Sequence, residues 1–167
     1  HLGALLYPLI AGVTATLIVV IAYRQLGRTG AFMSMVLLVC SPMFVLLSGT
    51  SHPQSVSRVF IAATLLGYTL TLHQPRAWHY ALTGGAFGLA LCFRPIESTA
   101  LLSPLLIELS WRSLRDRTVR RHLFALAGCM VVPLCLFALY NAEVTGHPLI
   151  PPRYALNELP DRPLSHS

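Results

Sequence analysis

Long apolar stretches alternate with short polar interruptions along the whole chain. The first stretch, residues 5–23, is almost uninterrupted and stops at Arg24, Gln25, Leu26, Gly27 and Arg28. A second, residues 31–49, carries Ser41 and Pro42 at mid-length, where a missing amide donor and a ring clash kink a helix. After Thr50, Ser51, His52, Pro53 and Gln54, a third runs over residues 56–72 and ends at His73, Gln74, Pro75 and Arg76. The fourth, residues 78–93, places Ala81, Gly84, Gly85 and Gly88 at spacings of three and four. Small residues on one helix face let two backbones approach closely, which predicts a central position for this helix. The fifth, residues 96–111, is short and contains Pro104 and Glu108, so a re-entrant segment is the alternative to a span there. The sixth covers residues 123–140.

A bilayer core about 30 Å thick is crossed by roughly 20 helical residues, and only helices or closed barrels keep every backbone polar group paired inside it. The pattern therefore predicts an all-α fold, a polytopic transmembrane helical bundle of about six spans. The bundle is expected over residues 1–141, with residues 142–167 as an external tail or the start of a next external loop. Composition agrees: 54% of the 167 residues are hydrophobic and only 11% are charged, against about a quarter charged in a soluble domain. The chain opens at His1 and enters an apolar run with no basic leader region ahead of it, and the expectation is a cut inside a longer protein.

Charge then sets orientation. All twelve basic residues are arginine and the formal net charge is +6. A nucleic-acid partner is not expected, because these arginines sit in gaps between apolar runs and leave no soluble basic face. With alternating spans, one side receives Arg24, Arg28, Arg76, Arg112, Arg115, Arg117, Arg120 and Arg121. The other receives Arg58, Arg94, Arg153 and Arg162, with Glu97, Glu143, Glu158 and Asp161. The side richer in arginine is expected to be cytoplasmic, with both chain ends outside. Asp116 lies four residues from both Arg112 and Arg120. A short interfacial helix with internal ion pairs on anionic headgroups fits that spacing, and a plain topology anchor is the simpler reading.

Chemistry is expected on the opposite face. His52, beside Ser51 and Pro53, offers a donor to a phosphate or sugar hydroxyl, or a group that titrates near neutral pH; a solvated turn is the plainer reading. Arg94, in Arg94–Pro95–Ile96–Glu97, is a bidentate donor suited to a phosphate, with structural pairing to Glu97 as the competing role. The stretch from Tyr140 and Asn141 to His147 and Pro148, followed by Arg153 and Tyr154, ends the sixth run in an ordered, non-helical exit. Arg153 and Tyr154 fit a sugar or lipid-phosphate site, although such residues also serve as interfacial anchors. The cysteines Cys40, Cys92, Cys129 and Cys135 lie inside apolar runs without CxxC spacing and read as small hydrophobes. Neither a Walker loop nor HExxH is present, and no close pair of acidic residues of the kind that binds a divalent metal occurs.

In order, these pieces resemble the polytopic membrane glycosyltransferases of the C-type fold, the bacterial relatives of protein O-mannosyltransferase and aminoarabinose transferase. The matching pieces are Ser41–Pro42, then Ser51–His52–Pro53, then Gly84, Gly88, Leu89 and Ala90 leading to Arg94–Pro95, and finally Tyr140–Asn141 with residues 145–149. The resemblance implies transfer of a sugar from a polyprenyl-phosphate carrier to an acceptor on the non-cytoplasmic face of the cell (inner) membrane. It also implies a catalytic carboxylate upstream of His1, so the chain is expected to be a fragment that is inactive alone. The carrier-binding candidates are Arg94, His52, Arg153, Tyr154 and Asn141. No metal ligand is expected among them, and any divalent metal would be held mainly by residues outside this chain. The expected partners are the lipid bilayer and the carrier-linked sugar. The alternative is a subunit or fragment of a membrane transporter or channel.

Overall fold

In the computed structural model of the chain, residues 2–42, 44 and 54–148 are described. They form five helices: α1 (Leu2–Cys40), α2 (Gln54–His73), α3 (Ala77–Phe93), α4 (Pro95–Arg115) and α5 (Arg117–Thr145). The all-α architecture holds, but the count of six spans does not. Among the described residues three helices are long and apolar enough to cross a membrane: α1 over Leu6–Cys40, α2 over Ser55–His73, and α5.

The correction has a separate cause at each place. The first apolar run and residues 31–40 of the second both lie in α1, as two helical stretches that meet at a kink, with Gly27 between them in a non-helical conformation of φ 71° and ψ −159°. That backbone conformation is open only to glycine, so one residue redirects the helix where a loop between spans was expected. The fourth run is stopped at 17 residues by Arg94 and Pro95, because the residue before a proline is driven out of the α region. The fifth is a 21-residue helix too polar to qualify, with Glu97, Glu108, Arg112 and Arg115 along its length. The placing of Arg24, Arg28 and the first chain end, which rested on two separate spans before residue 50, falls with the count. The expected break at Ser41–Pro42 is where α1 ends, and Ser41 Oγ accepts from the Phe44 amide at 3.3 Å.

Lipid rather than protein surrounds most of the apolar surface. Only 17% of the most apolar window of α1 and 6% of that of α5 is buried, against 44% for α2. Leu37 at 70%, Val39 at 68% and Phe124 at 77% exposure could not face water in such numbers. The protein is therefore a membrane-embedded, multi-spanning helical bundle. Its interior is correspondingly polar: Ser57, Thr64 and Thr71 repeat every seven residues on the buried side of α2. Thr64 and Thr71 return their hydroxyl protons to the carbonyls of Phe60 and Tyr68, at 2.8 and 2.7 Å, which satisfies the groups without water.

α3 lies between α2 and α5. Its small residues are in register with α5, where a side chain at Gly84 would collide with the Leu126 carbonyl and one at Gly88 would meet the Met130 carbonyl at 2.6 Å. The Cys92 thiol donates to the Pro133 carbonyl at 3.5 Å one turn further along. Residue numbers rise together on the two helices, so α3 and α5 run parallel and α4 is the antiparallel return between them. α2 is antiparallel to α3, with Phe60 stacked on Phe93 at 5.8 Å at one end and Gly67 against Thr83 toward the other. The small apolar core is Tyr68, Tyr80, Leu109, Val119 and Leu126.

Beside this core the Tyr68 hydroxyl donates to Glu108, whose other oxygen accepts from Arg112 at 2.6 Å. The Tyr68 hydroxyl, with Arg112 assisting and burial opposing, holds the Glu108 carboxyl below the usual carboxylate range. A depressed carboxylate contributes stability that is present above its unfolded value and is lost as pH falls through its folded value.

Substitutions at the glycines and at the Tyr68–Glu108 tie test this packing. Gly84→Ala and Gly88→Ala should each destabilise the detergent-solubilised protein by about 1–3 kcal/mol through overpacking. Gly85→Ala, with its nearest neighbour at 4.0 Å, should be close to neutral in the same denaturation series. Gly27→Ala should cost about 1–3 kcal/mol from backbone strain alone, since nothing lies within 4 Å of the added carbon; equal tolerance of Gly12→Ala and Gly27→Ala would count against the kink. Tyr68→Phe should cost about 1–2 kcal/mol, and Glu108→Gln should flatten the decline in melting temperature below the ordinary glutamate range.

Candidate functional site

The register of the helices defines two ends. One carries Arg76, Arg112, Arg115, Arg117, Arg120 and Arg121; the other carries the start of α2, the corner between α3 and α4, and the end of α5. The second end holds the described candidates.

Arg94 is the single residue between α3 and α4, with φ −146° and ψ 79°. Pro95 keeps Arg94 out of the helical region and starts α4, where its missing amide proton costs nothing. The corner is stitched on both sides. The Arg94 amide and the Ser98 hydroxyl both donate to the Ala90 carbonyl at 3.0 Å, and the Ser98 amide donates to the Arg94 carbonyl at 3.0 Å. Ser98 is fully buried, so the corner is rigid although it faces the end of the bundle. The Arg94 side chain is 29% exposed and pairs with Glu97, the partner its spacing predicts. The guanidinium is thus held at a fixed corner, with one carboxylate beside it and part of its surface open to a second anion.

Asn141 lies on the last turns of α5. Cys92 is level with Pro133, so Asn141 stands beyond the corner by about two helical turns, roughly 10 Å. It is 1% exposed; its Nδ2 donates to the Pro148 carbonyl at 3.3 Å, while its Oδ1 is buried with no partner. Gly146 ends the helix in the left-handed region at φ 74°, its amide returning to the Ala142 carbonyl at 2.9 Å. The Thr145 hydroxyl donates toward the Asn141 and His147 carbonyls at 2.7 and 2.9 Å. The helix thus runs to Thr145, five residues past the expected end of the sixth run, and the non-helical exit is confined, among the described residues, to 146–148.

Arg94 and Asn141 share this end but sit on different helices, with no hydrogen bond between them. His52, Arg153 and Tyr154 lie outside the described residues. Two polar groups had not been singled out. Ser57 is 1% exposed with its hydroxyl unpartnered, one turn before Phe60, and Ser98 locks the corner. A serine four residues after Arg94, at the start of a helix, was the available signal for Ser98; nothing in the local sequence marks Ser57. Among the described residues no group of three or more His, Cys, Asp or Glu converges as a metal site. A divalent metal does not fit the donors found there.

Comparison with known proteins bears on the same segment. Neither the curated proteins nor the solved structures give a match. The family profile described as dolichyl-phosphate-mannose-protein mannosyltransferase matches residues 2–140, all five helices up to the last turns of α5. A match over that share of 167 residues places the chain in the dolichyl-phosphate-mannose-protein mannosyltransferase family.

Proposed function

We propose that this helical bundle is part of an integral membrane glycosyltransferase that moves a sugar from a polyprenyl-phosphate carrier to an acceptor hydroxyl on the non-cytoplasmic face of the cell membrane. The observation that carries the reading is the family match across residues 2–140. The geometry of the Arg94 corner supports it.

In this reaction the bond between the sugar's anomeric carbon and the carrier phosphate breaks. A bond to the acceptor oxygen forms, the acceptor proton passes to a base, and the carrier phosphate leaves with the electron pair. Negative charge grows on the phosphate oxygens, so donors fixed in advance near them lower the barrier. Arg94 meets that need. Its backbone is locked by Pro95 and Ser98, and a guanidinium can donate to two phosphate oxygens at once. Glu97 holds the side chain extended before the carrier arrives and yields part of its hydrogen bonding to the phosphate. Asn141, with its unpartnered Oδ1, accepts from a hydroxyl of the sugar or acceptor. His52, Arg153 and Tyr154 complete the carrier contacts in this proposal. The base is assigned to no residue of this chain.

The test is carrier binding by the chain in nanodiscs, alongside sugar transfer in membranes by the whole enzyme of which we propose it is part. Arg94→Ala should weaken polyprenyl-phosphate binding about tenfold or more, with Arg94→Lys recovering part of the loss and helical content unchanged. Carrier affinity and transfer that both stay at the unmodified level in Arg94→Ala would remove the assignment.

A further inference from the structure

At the end of the bundle opposite Arg94, cationic side chains outnumber their partners. Arg112 is paired with Glu108. Asp116, the nearest other carboxylate, ends α4 and begins α5; its side chain accepts from the Thr118 amide at 2.8 Å and so serves the backbone. The two ion pairs found among the described residues leave out Arg115, Arg117, Arg120 and Arg121. Arg115 instead lies over the Trp111 ring, 5.6 Å from its centroid. The internal ion pairs that the Arg112–Asp116–Arg120 spacing predicts do not form.

The helical positions make this more than a loose cluster. Arg117, Arg120 and Arg121 fall on one face of α5 and are exposed, while Val119 and Leu126 on the opposite face are buried. Continuing down the exposed face, the next positions are Phe124 at 77% exposure, Gly128 with nothing within 4 Å of an added carbon, and Val131 at 47%. At 29 residues α5 is about 43 Å long, against a hydrocarbon core of about 30 Å. Residues 117–122 add about 9 Å of helix ahead of the apolar run. Three guanidinium groups are stacked above an apolar strip with a gap at Gly128. That is the complement of one lipid molecule, anion above and acyl chain below.

We infer that the α4–α5 elbow is a binding site for an anionic phospholipid, its phosphate held by Arg117, Arg120 and Arg121 and its acyl chain laid along Phe124, Gly128 and Val131. This site is separate from the Arg94 corner and does not depend on the reaction proposed there.

The experiment reconstitutes the chain in nanodiscs of equal phosphatidylglycerol and phosphatidylcholine and counts retained lipids by native mass spectrometry. The unmodified chain should retain phosphatidylglycerol preferentially. R117Q/R120Q/R121Q should lose that preference by about fivefold per guanidinium removed, while R24Q/R28Q should leave it unchanged. The same preference in the triple glutamine variant, or an equal loss per charge in R24Q/R28Q, would overturn the site in favour of diffuse charge attraction. R117K/R120K/R121K keeps the charge that directs insertion and decides the matter if the glutamine variant does not fold. An ammonium cannot reproduce the two-pronged contact, so part of the preference should go, and full retention would overturn a guanidinium–phosphate site.

Discussion

The backbone contact of α3 with α5 at Gly84 and Gly88 is the constraint around which the bundle is arranged. Lipid tails are as apolar as leucine, so burying hydrocarbon gives little drive to join two helices inside a bilayer; close van der Waals approach must supply it. Because the contact makes α3 and α5 parallel, the chain has to return from one end of the bundle to the other in between. It does so in 21 residues, with one residue outside helix at each turn, Arg94 and Asp116. Those tight turns fix which side chains reach the two ends. A longer connection would have left both arginine groups on loops, with no defined relation to the helices.

The parallel contact also explains the composition of α4. As a return helix it has one side against the bundle, where Ser98, Leu102 and Leu109 are buried, and another bearing Leu101, Ile107, Trp111 and Leu114 at 60% exposure or more. Glu108 is tolerated because Tyr68, from a helix forty residues earlier, donates to it from the bundle side while Arg112 closes the other. One of the residues that make α4 too polar for an apolar span is thus a tie between α4 and α2. Its polarity is therefore a consequence of packing.

Much of the architecture could be read from local pattern, because local pattern controls it. The small-residue spacing at Gly84 and Gly88 placed α3 centrally and Arg94–Pro95 marked a corner, while the end of the last helix was set at residue 140, five residues short of Thr145. The failures came where a local signal had two physical solutions. Arg24 to Arg28 looked like a loop, yet one glycine with positive φ is enough to join two helical stretches at a kink. Pairings across forty residues, such as Tyr68 with Glu108, have no local signature, and neither does burial of Ser57 or Asn141. Arg94 and its Glu97 partner were legible from an i,i+3 spacing; the Ser98 lock behind them depends on two helix ends meeting.

The two ends of the bundle differ in how their cations are compensated more than in how many they carry. At one, Arg94 has a carboxylate three residues away on a rigid corner, so its charge is partly neutralised and its orientation is set before any ligand comes. At the other, the available carboxylates are already committed, Glu108 to Tyr68 and Arg112 and Asp116 to an amide at the start of α5. The partial positive charge of that helix start adds to four guanidinium groups without a carboxylate. In a low-dielectric setting such an excess must be met by water, counterions or lipid phosphate, and residues 117–122 stand just ahead of the apolar run of α5, where the proposed lipid would meet them. On the proposed readings, compensation from within the chain suits an exchangeable ligand at the first end, and compensation from the membrane suits a resident one at the second.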